Sequence, residues 1–409
     1  MPEPRSTPLP EPVPERTSEV PERTSEPVRS GGTVHWIGTG LSTGSGLGLL
    51  CDLAPQVRVW GRTVARAAAK LERLGLAGRA EPAAFVPSSL AAELRPGDIV
   101  VSMLPASEHG ALLRLCVPRG AHFACSSYVS DDLLAQSAAA ASAGLVVLAE
   151  AGLDPGIDHI LARKLVTQGL AVIGEATAAS ASFTSYCGGL PAEPNEFRYR
   201  FSWAPRGVLT ALRSPATFIE DAAERTVDRP WEATRPHTVG DERFEAYPNR
   251  NSLPFVAQYG IPPAWSLQTF VRGTLRLDGW RRAWEPVFAE LRSADPDRIA
   301  ALADRLAARY PTTGADRDRV VLAVALRLRG RDGTAWSGGY SLDLVGDERE
   351  SAMARCVSTP LAFGVTEILA GRMRPGLHRA AESAAEADRW LDFLERHGIR
   401  CTPSAAAPG

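Results

Sequence analysis

Residues 144–159 read GLVVLAEAGLDPGIDH. The apolar run from Gly144 to Ala149 has the length and composition of a buried strand, and it stops at Glu150. Gly-Leu-Asp-Pro-Gly follows at once, then Ile-Asp-His. A plain turn would account for the glycines and the proline. Carboxylates and a histidine set directly at a strand end also suit an active-site crossing between two domains, because open α/β sheets bind ligands beyond the carboxyl ends of their strands.

Working outward, the rhythm differs on the two sides. Upstream, the strand-like runs TVHWIG, VRVW, DIVVSML, AHFAC and LVVLA are separated by helical stretches. Thr63 is placed to cap VARAAAKLERL, which Gly75 ends, and Ser130 to cap DDLLAQSAAAASA, which Gly144 ends. Short apolar strands alternating with helices predict an α/β fold with a doubly wound, Rossmann-type parallel sheet over residues 33–156. Downstream, ATAASASFTSYC and TFVRGTLRL read as longer strands, with GWRRAWEPVFAELRS and DPDRIAALADRLAARY as helices. RVVLAVALRL and TAWSGGYSLDL, joined by GRDG, read as an antiparallel hairpin. Residues 157–345 are therefore expected to form an α+β substrate domain with a mixed sheet, also suited to dimerisation. Residues 346–400 read as a helical segment returning to the first domain, with a helix from Glu350 to Gly371, and 401–409 as a flexible tail. Residues 1–32, with PERTSE twice, have almost nothing to bury and read as a disordered Pro/Glu-rich tail.

A chain of 409 residues exceeds what one core usually serves, which agrees with two domains. Net charge is −2, giving no general attraction to nucleic acid or anionic membranes. No apolar run reaches the roughly 18 residues of a membrane span, and the N-terminus lacks a signal-peptide core. The six cysteines form no CxxC pair and no cluster with His at zinc-site spacing. A cytoplasmic protein with free thiols and no metal is the expectation. Only Lys70 and Lys164 are lysine among 45 basic residues, so any one arginine needs local support before it is given a role.

The first strand runs into GTGLSTGSGLGLL. Gly38, Thr39, Gly40, Leu41 and Ser42 occupy the turn where a dinucleotide pyrophosphate meets main chain, although the third motif position falls on Thr43 rather than glycine. The second strand ends in Gly61-Arg62-Thr63. Where a carboxylate would hold a ribose 2′-hydroxyl, Arg62 and Thr63 suit a 2′-phosphate, so NADP is favoured over NAD. Met103, Leu104, Pro105, Ser126, Ser127 and Glu150 stand at further strand ends and complete the expected cofactor edge.

The ordered motifs SMLP, SSYVS, EAGLDPGIDH, SYCGGLP, FSWAPRGVL, YPNR and VRGTLR, followed by AMARCVSTPLAFGVTEILAG, resemble the saccharopine dehydrogenase family, on the side of its NADP-dependent, glutamate-forming saccharopine reductases. The resemblance runs from about Val34 to about Gly376. It implies reductive condensation of glutamate with α-aminoadipate semialdehyde to saccharopine, or the reverse, in lysine metabolism. In that setting Tyr128, Val129, Ser130, Asp154, Gly156, Cys187, Gly188, Gly189, Arg206, Asn249 and Arg250 are the implied substrate residues. Arg206 and Arg250 would clamp carboxylates through paired bonds, and Gly188 and Gly189 would admit ligand close to main chain. Asp154, His159 and Tyr128 are the candidates for proton transfer. Asp158 reads more simply as a helix cap and Cys187 as a packing thiol. Arg272 and Arg276 share one strand face, which a solvated sheet face would also explain, and rank below Arg206 and Arg250.

The sequence departs from the family pattern at Ala149, where relatives tend to carry asparagine, at Asn251, where an aspartate follows YPNR, and in the glycine loop. A related imine or opine reductase using another amine, such as a carboxynorspermidine-type polyamine enzyme, keeps the fold and changes the substrate. A catalytically silent dinucleotide-binding scaffold is the alternative from another class. Amino-acid-like substrates are expected, and a homodimer through the mixed sheet is a further expectation.

Overall fold

The computed structural model describes residues 32–404 except 175–177, 294 and 314, so most of the proline- and glutamate-rich tail lies outside the described residues. Strands β1 (Val34–Ile37), β2 (Val57–Gly61), β3 (Glu81–Ala84), β4 (Ile99–Ser102), β5 (His122–Cys125) and β6 (Val146–Leu148) lie parallel in one sheet. The chain then builds a second sheet from β7 (Ala178–Pro191), β8 (Ala216–Glu220), β9 (Ala223–Val227), β10 (Arg235–Val239), β11 (Glu242–Pro248), β12 (Leu267–Leu277), β13 (Asp318–Gly330) and β14 (Ala335–Val345). Finally β15 (Gly376–His378) returns to pair parallel with β6, and β16 (Thr402–Ser404) pairs antiparallel with β14. The orders are β15-β6-β5-β4-β1-β2-β3 and β10-β11-β12-β7-β13-β14-β16, with β8 and β9 attached to β12. The second sheet is mixed, since β7 runs parallel to β12 and antiparallel to β13.

The reasons are local. Every residue of β1, β4, β5 and β6 is buried, so these strands read as mostly apolar runs, as parallel strands covered on both faces do. The Thr63 hydroxyl accepts the Arg66 N–H at the start of helix Val64–Arg73, and Ser130 does the same for Leu133 ahead of helix Asp131–Ser142. The two sheets share one apolar core, bridged by helices Ile157–Ile173 and Ala352–Leu369. Helix Ala352–Leu369 lies so close to helix Ser45–Leu53 that a Cβ at Gly46 would stand 2.0 Å from the Ser358 carbonyl oxygen. Only glycine allows that approach.

Three expectations need correction. The stretch 279–293 is two short helices, Trp280–Ala283 and Glu285–Leu291, because Pro286 opens a new first turn and donates no N–H to the old one. The C-terminal segment is not helical throughout, since β15 extends the first sheet. Part of the expected flexible tail, Thr402–Ser404, is a strand: it satisfies backbone groups along β14 that would otherwise form an open edge.

Candidate active site

The glycine turn after β1 is shaped to meet a ligand. Gly38 has φ +119°, and a Cβ there would press on the Met103 Cβ at 3.0 Å. A Cβ on Gly40 would meet nothing within 4 Å, and Leu41 is 57% exposed, so the outer side of the turn is open. Thr43, where the motif usually has glycine, braces the loop from inside. Its hydroxyl donates to the Gly38 carbonyl at 3.0 Å and accepts from the Trp36 indole at 3.3 Å. Lys70 donates to the Gly40 carbonyl at 3.1 Å, and burial, aided by Arg73, lowers its pKa to about 8 against the opposing pull of Glu350. The helix end behind the loop is already occupied: Glu350 accepts the Ser45 N–H and Ser358 accepts that of Gly46. The turn itself, rather than the helix terminus, is left to receive a pyrophosphate. Arg62 and Thr63 are exposed at the end of β2, and Thr63 also serves as the helix cap. Arg62→Ala is expected to raise KM for NADPH by about 10- to 100-fold, leaving NADH unaffected; initial rates with both cofactors check this.

At the domain crossing the sequence candidates join a connected polar network. Arg272 on β12 is 3% exposed. Its Nη2 donates to Asp154 Oδ1 at 2.6 Å, to Asp158 Oδ2 at 2.6 Å and to the Tyr128 hydroxyl at 3.1 Å. Tyr128 donates in turn to Asp154 Oδ1 at 2.8 Å. The guanidinium carbon lies 4.0 Å from the centre of the Phe255 ring, which adds cation–π attraction away from water. Asp158 accepts the Gly156 N–H at 2.7 Å, and its other oxygen also reaches Tyr259 and His159 Nδ1, each at 3.2 Å. His159 Nε2 meets Glu150 Oε2 at 3.1 Å. Glu150, with φ +53°, is held in a left-handed conformation unusual for its residue type. Its Oε1 accepts Val129 N–H, and Oε2 also receives Gln258 at 2.8 Å and Arg379 at 3.1 Å.

These contacts divide the charges. Burial and the neighbouring Asp158 charge push Asp154 above the usual carboxylate range, against the pull of Arg272. Burial opposes ionisation of Asp158 too, but His159 and Arg272 outweigh it and hold the carboxylate well below that range. Glu150 is similarly penalised by burial, yet His159, the Val129 N–H and Arg379 bring it down to about 2. His159 is raised, since the Asp158 charge and bonds to Asp158 and Glu150 overcome burial. Asp154 is therefore the carboxyl suited to carry a proton, and Asp158 the permanent anion beneath it.

The same shifts predict a pH dependence. A carboxylate held low when folded contributes stability above its ordinary pKa and loses it as pH falls through the folded value. The Glu150 contribution is thus full above about pH 5 and fades toward pH 2. A histidine held high contributes below its ordinary pKa and loses that contribution as pH rises through the folded one. Urea midpoints measured from pH 5 downward should fall less steeply in Glu150→Gln than in wild type; equal slopes would remove Glu150 as a source.

The structure redistributes the remaining candidates. Glu150, expected beside the cofactor, spends its carboxylate on the network. Gly156 (φ +147°) forms the tight turn, where a Cβ would strike the Gly152 backbone. Gly188 and Gly189 do not open toward a ligand: a Cβ on the first would meet the Leu275 carbonyl at 2.6 Å, and one on the second Met353 and Ser202. Strand and helix packing explains both. Asp158 exceeds the expected capping role, and Arg272 belongs at the centre rather than on a solvated face. Cys187 is 8% exposed, its thiol pushed up by burial, as a packing cysteine should be. Ser130 uses its hydroxyl as a cap. Met103, Leu104, Pro105, Ser126 and Ser127 stand at the ends of β4 and β5, partly or wholly accessible, and Thr39 and Ser42 at that of β1. Arg206 is exposed in the first turn of helix Pro205–Arg213. Asn249 donates its N–H to the Arg272 carbonyl at 2.9 Å. Arg250, exposed with φ +56°, lies 5.1 Å over the Tyr128 ring. Among the departures from the family pattern, Ala149 is fully buried and Asn251 caps its own turn through the Leu253 N–H.

Arg276 is the other residue underrated in sequence. It is 5% exposed, two positions beyond Thr274 on the Arg272 face of β12, and its cation sits among the Tyr199, Tyr247 and Trp280 rings. Its Nη1 reaches only the Leu275 carbonyl, its Nε has no partner, and among the described residues no carboxylate lies within 4 Å of it. Ser202 Oγ is likewise buried and unpartnered.

A parallel nucleotide-binding sheet, a mixed second sheet and a carboxylate–tyrosine–arginine cluster between them define a two-domain dinucleotide-dependent oxidoreductase fold. The chain belongs to the saccharopine dehydrogenase family: residues 34–148 match its NADP binding domain and residues 152–399 its C-terminal domain. It is 39% identical over 199 residues to the NADP⁺-dependent, L-glutamate-forming saccharopine dehydrogenase of Pyricularia oryzae, covering 47% of this chain and 43% of that protein. It is 38% identical over 191 residues to the alpha-aminoadipic semialdehyde synthase of Arabidopsis thaliana, covering 45% of this chain and 17% of that one. These alignments thus span less than half the length of the curated relatives. The apo L-Glu-forming saccharopine dehydrogenase of Saccharomyces cerevisiae superposes with a TM-score of 0.75 at 26% identity, covering 92% of this chain and all of that one. The homospermidine synthase of Legionella pneumophila shares the fold, with a TM-score of 0.62 at 11% identity over 93% of each chain.

Proposed function

We propose that the protein is an NADP-dependent reductase that condenses glutamate with α-aminoadipate semialdehyde to form saccharopine, and catalyses the reverse. One observation carries the reading. Two guanidiniums, Arg250 over the ring of Tyr128 and Arg276 on the Arg272 face of β12, have no carboxylate within 4 Å among the described residues. A product with three carboxylates and a secondary amine suits that arrangement. A polyamine substrate would need acidic groups where these arginines stand, and a silent scaffold would have no use for a buried network this complete.

In the forward direction the glutamate amine attacks the aldehyde carbon, a proton moves to the carbonyl oxygen, and water leaves to give the imine. The Gly38–Ser42 turn and Arg62 would hold NADPH, which would supply the hydride for reduction of the imine. Asp154 passes the proton at carbinolamine formation and collapse, with Tyr128 and Arg272 fixing its position. Arg250 and Arg276 hold carboxylates and set the distance between the reacting ends. The Arg62 and Thr63 pair supports NADP, and the free thiols of all six cysteines fit a cytoplasmic setting. Among the described residues no helix is long and apolar enough to cross a membrane. Pairing of two copies through the mixed sheet belongs to the same proposal and is read by light scattering. The reading is tested by supplying saccharopine with NADP⁺ or NAD⁺. Equal amounts of NADPH and glutamate, with little NADH, are expected; no reduction of either cofactor would overturn it.

A further inference from the structure

A cavity of about 350 Å³ lies beside the network. Its polar walls are His159, Arg163, Gln258, Tyr259, Arg379 and Glu382. It shares His159, Gln258, Tyr259 and Arg379 with the network but is lined by none of Tyr128, Asp154, Arg250 or Arg272.

Its charges are unevenly paired. Arg163 is half-buried and donates to the Gln258 carbonyl. Its Nη1 packs so closely over Gly260 that a Cβ there would stand 2.4 Å away. Among the described residues no carboxylate lies within 4 Å of Arg163, although Glu382 and Glu386 act on it from farther off against the effect of burial. Glu382 is engaged elsewhere, with His378 at 3.0 Å and the Arg379 N–H at 3.4 Å. Among the described residues Arg379 makes its one side-chain ion pair with Glu150 Oε2, an oxygen that His159 and Gln258 also share. The void therefore presents two guanidiniums, one lacking a carboxylate and one partly free to turn.

We propose that this cavity is an effector site for a small carboxylate or phosphate anion, held between Arg163 and Arg379 and coupled to the active site through Glu150 and His159. Two guanidinium forks can bind one such anion with paired, charge-assisted bonds. An anion that draws Arg379 away removes one of the charges stabilising the Glu150 carboxylate, and Glu150 then shares the His159 proton differently. His159 touches Asp158, so the change reaches the carboxylates that position the proton carrier. Because coupling is reciprocal, anything that alters proton affinity in the network alters anion affinity in the cavity.

The binding stands independently of the proposed reaction; only the coupling rests on it. Isothermal titration calorimetry on the full chain, with citrate and inorganic phosphate in separate arms, tests the binding and distinguishes the two anion types. Wild type should bind at least one. Arg163→Gln should weaken that binding by about tenfold or more, and so should Ala257→Glu, which adds a like charge at an exposed position on the cavity wall. Arg250→Ala should leave it within about twofold. No binding by wild type, or loss in Arg250→Ala with Arg163→Gln unaffected, would overturn the site. For the coupling, NADPH turnover should respond to the bound anion in wild type and not in Ala257→Glu; a response equal in both overturns it, while calorimetry still reports the site if no turnover is found.

Discussion

Replacing Arg272 with methionine is expected to lower the free energy of unfolding by about 3–5 kcal/mol, as removal of one partner from a buried ion pair does. The guanidinium is 3% exposed and is the cation held directly between Asp154 and Asp158. Methionine fills comparable space against Phe255 but leaves two carboxylates facing each other in a low-dielectric setting. One must then take up a proton or let water in. Turnover should fall by roughly 10²–10⁴, the span of a lost acid–base contribution, because Asp154 would be neither placed nor tuned. Arg272→Lys should recover charge and part of the stability but less of the rate, since an ammonium cannot reproduce the planar fork that reaches Asp154, Asp158 and Tyr128 together. Urea unfolding and steady-state kinetics separate these effects. A loss below about 1 kcal/mol in the methionine variant would mean that Arg272 behaves as a surface charge.

Arg250→Ala should behave in the opposite way. Its side chain is exposed, so the unfolding free energy should change by less than about 0.5 kcal/mol. The value of kcat/KM should nevertheless fall by about 10²- to 10³-fold, because a carboxylate desolvated on binding would lose its charged partner. A loss confined to stability, or equal losses with amines lacking a carboxylate, would remove Arg250 from substrate recognition. Together the two variants distinguish an arginine that organises the site from one that awaits the ligand.

Much of the first domain was legible in sequence for a simple reason. Strands buried on both faces leave mostly apolar runs, and the Thr63 and Ser130 caps bind their own neighbouring N–H groups. Edge strands carry no such mark: β3 is the short, half-exposed EPAA and β15 the three residues GLH. Motifs named Tyr128, Asp154, His159 and Arg250, which the fold brings to one polar network and its edge. The centre of that network was not legible. Alternation in VRGTLRL placed Arg272 on a strand face, but in an arginine-rich chain that pattern does not distinguish a solvated face from one covered by Asp154, 118 residues away. Gly188 and Gly189 show the converse. A glycine marks close approach without saying whether ligand or protein does the approaching, and here Leu275, Met353 and Ser202 stand in the space. Glu350 closing the end of helix Ser45–Leu53 was equally hidden, since its partner lies 305 residues away.

The most direct test of the central proposal follows NADPH absorbance with purified protein, α-aminoadipate semialdehyde and glutamate, while mass spectrometry identifies the product. NADPH loss that requires both substrates and matches saccharopine formed mole for mole is the predicted result. Cofactor binding with no glutamate-dependent oxidation would contradict the account, leaving the family and the fold in place and removing the substrate assigned to Arg250 and Arg276.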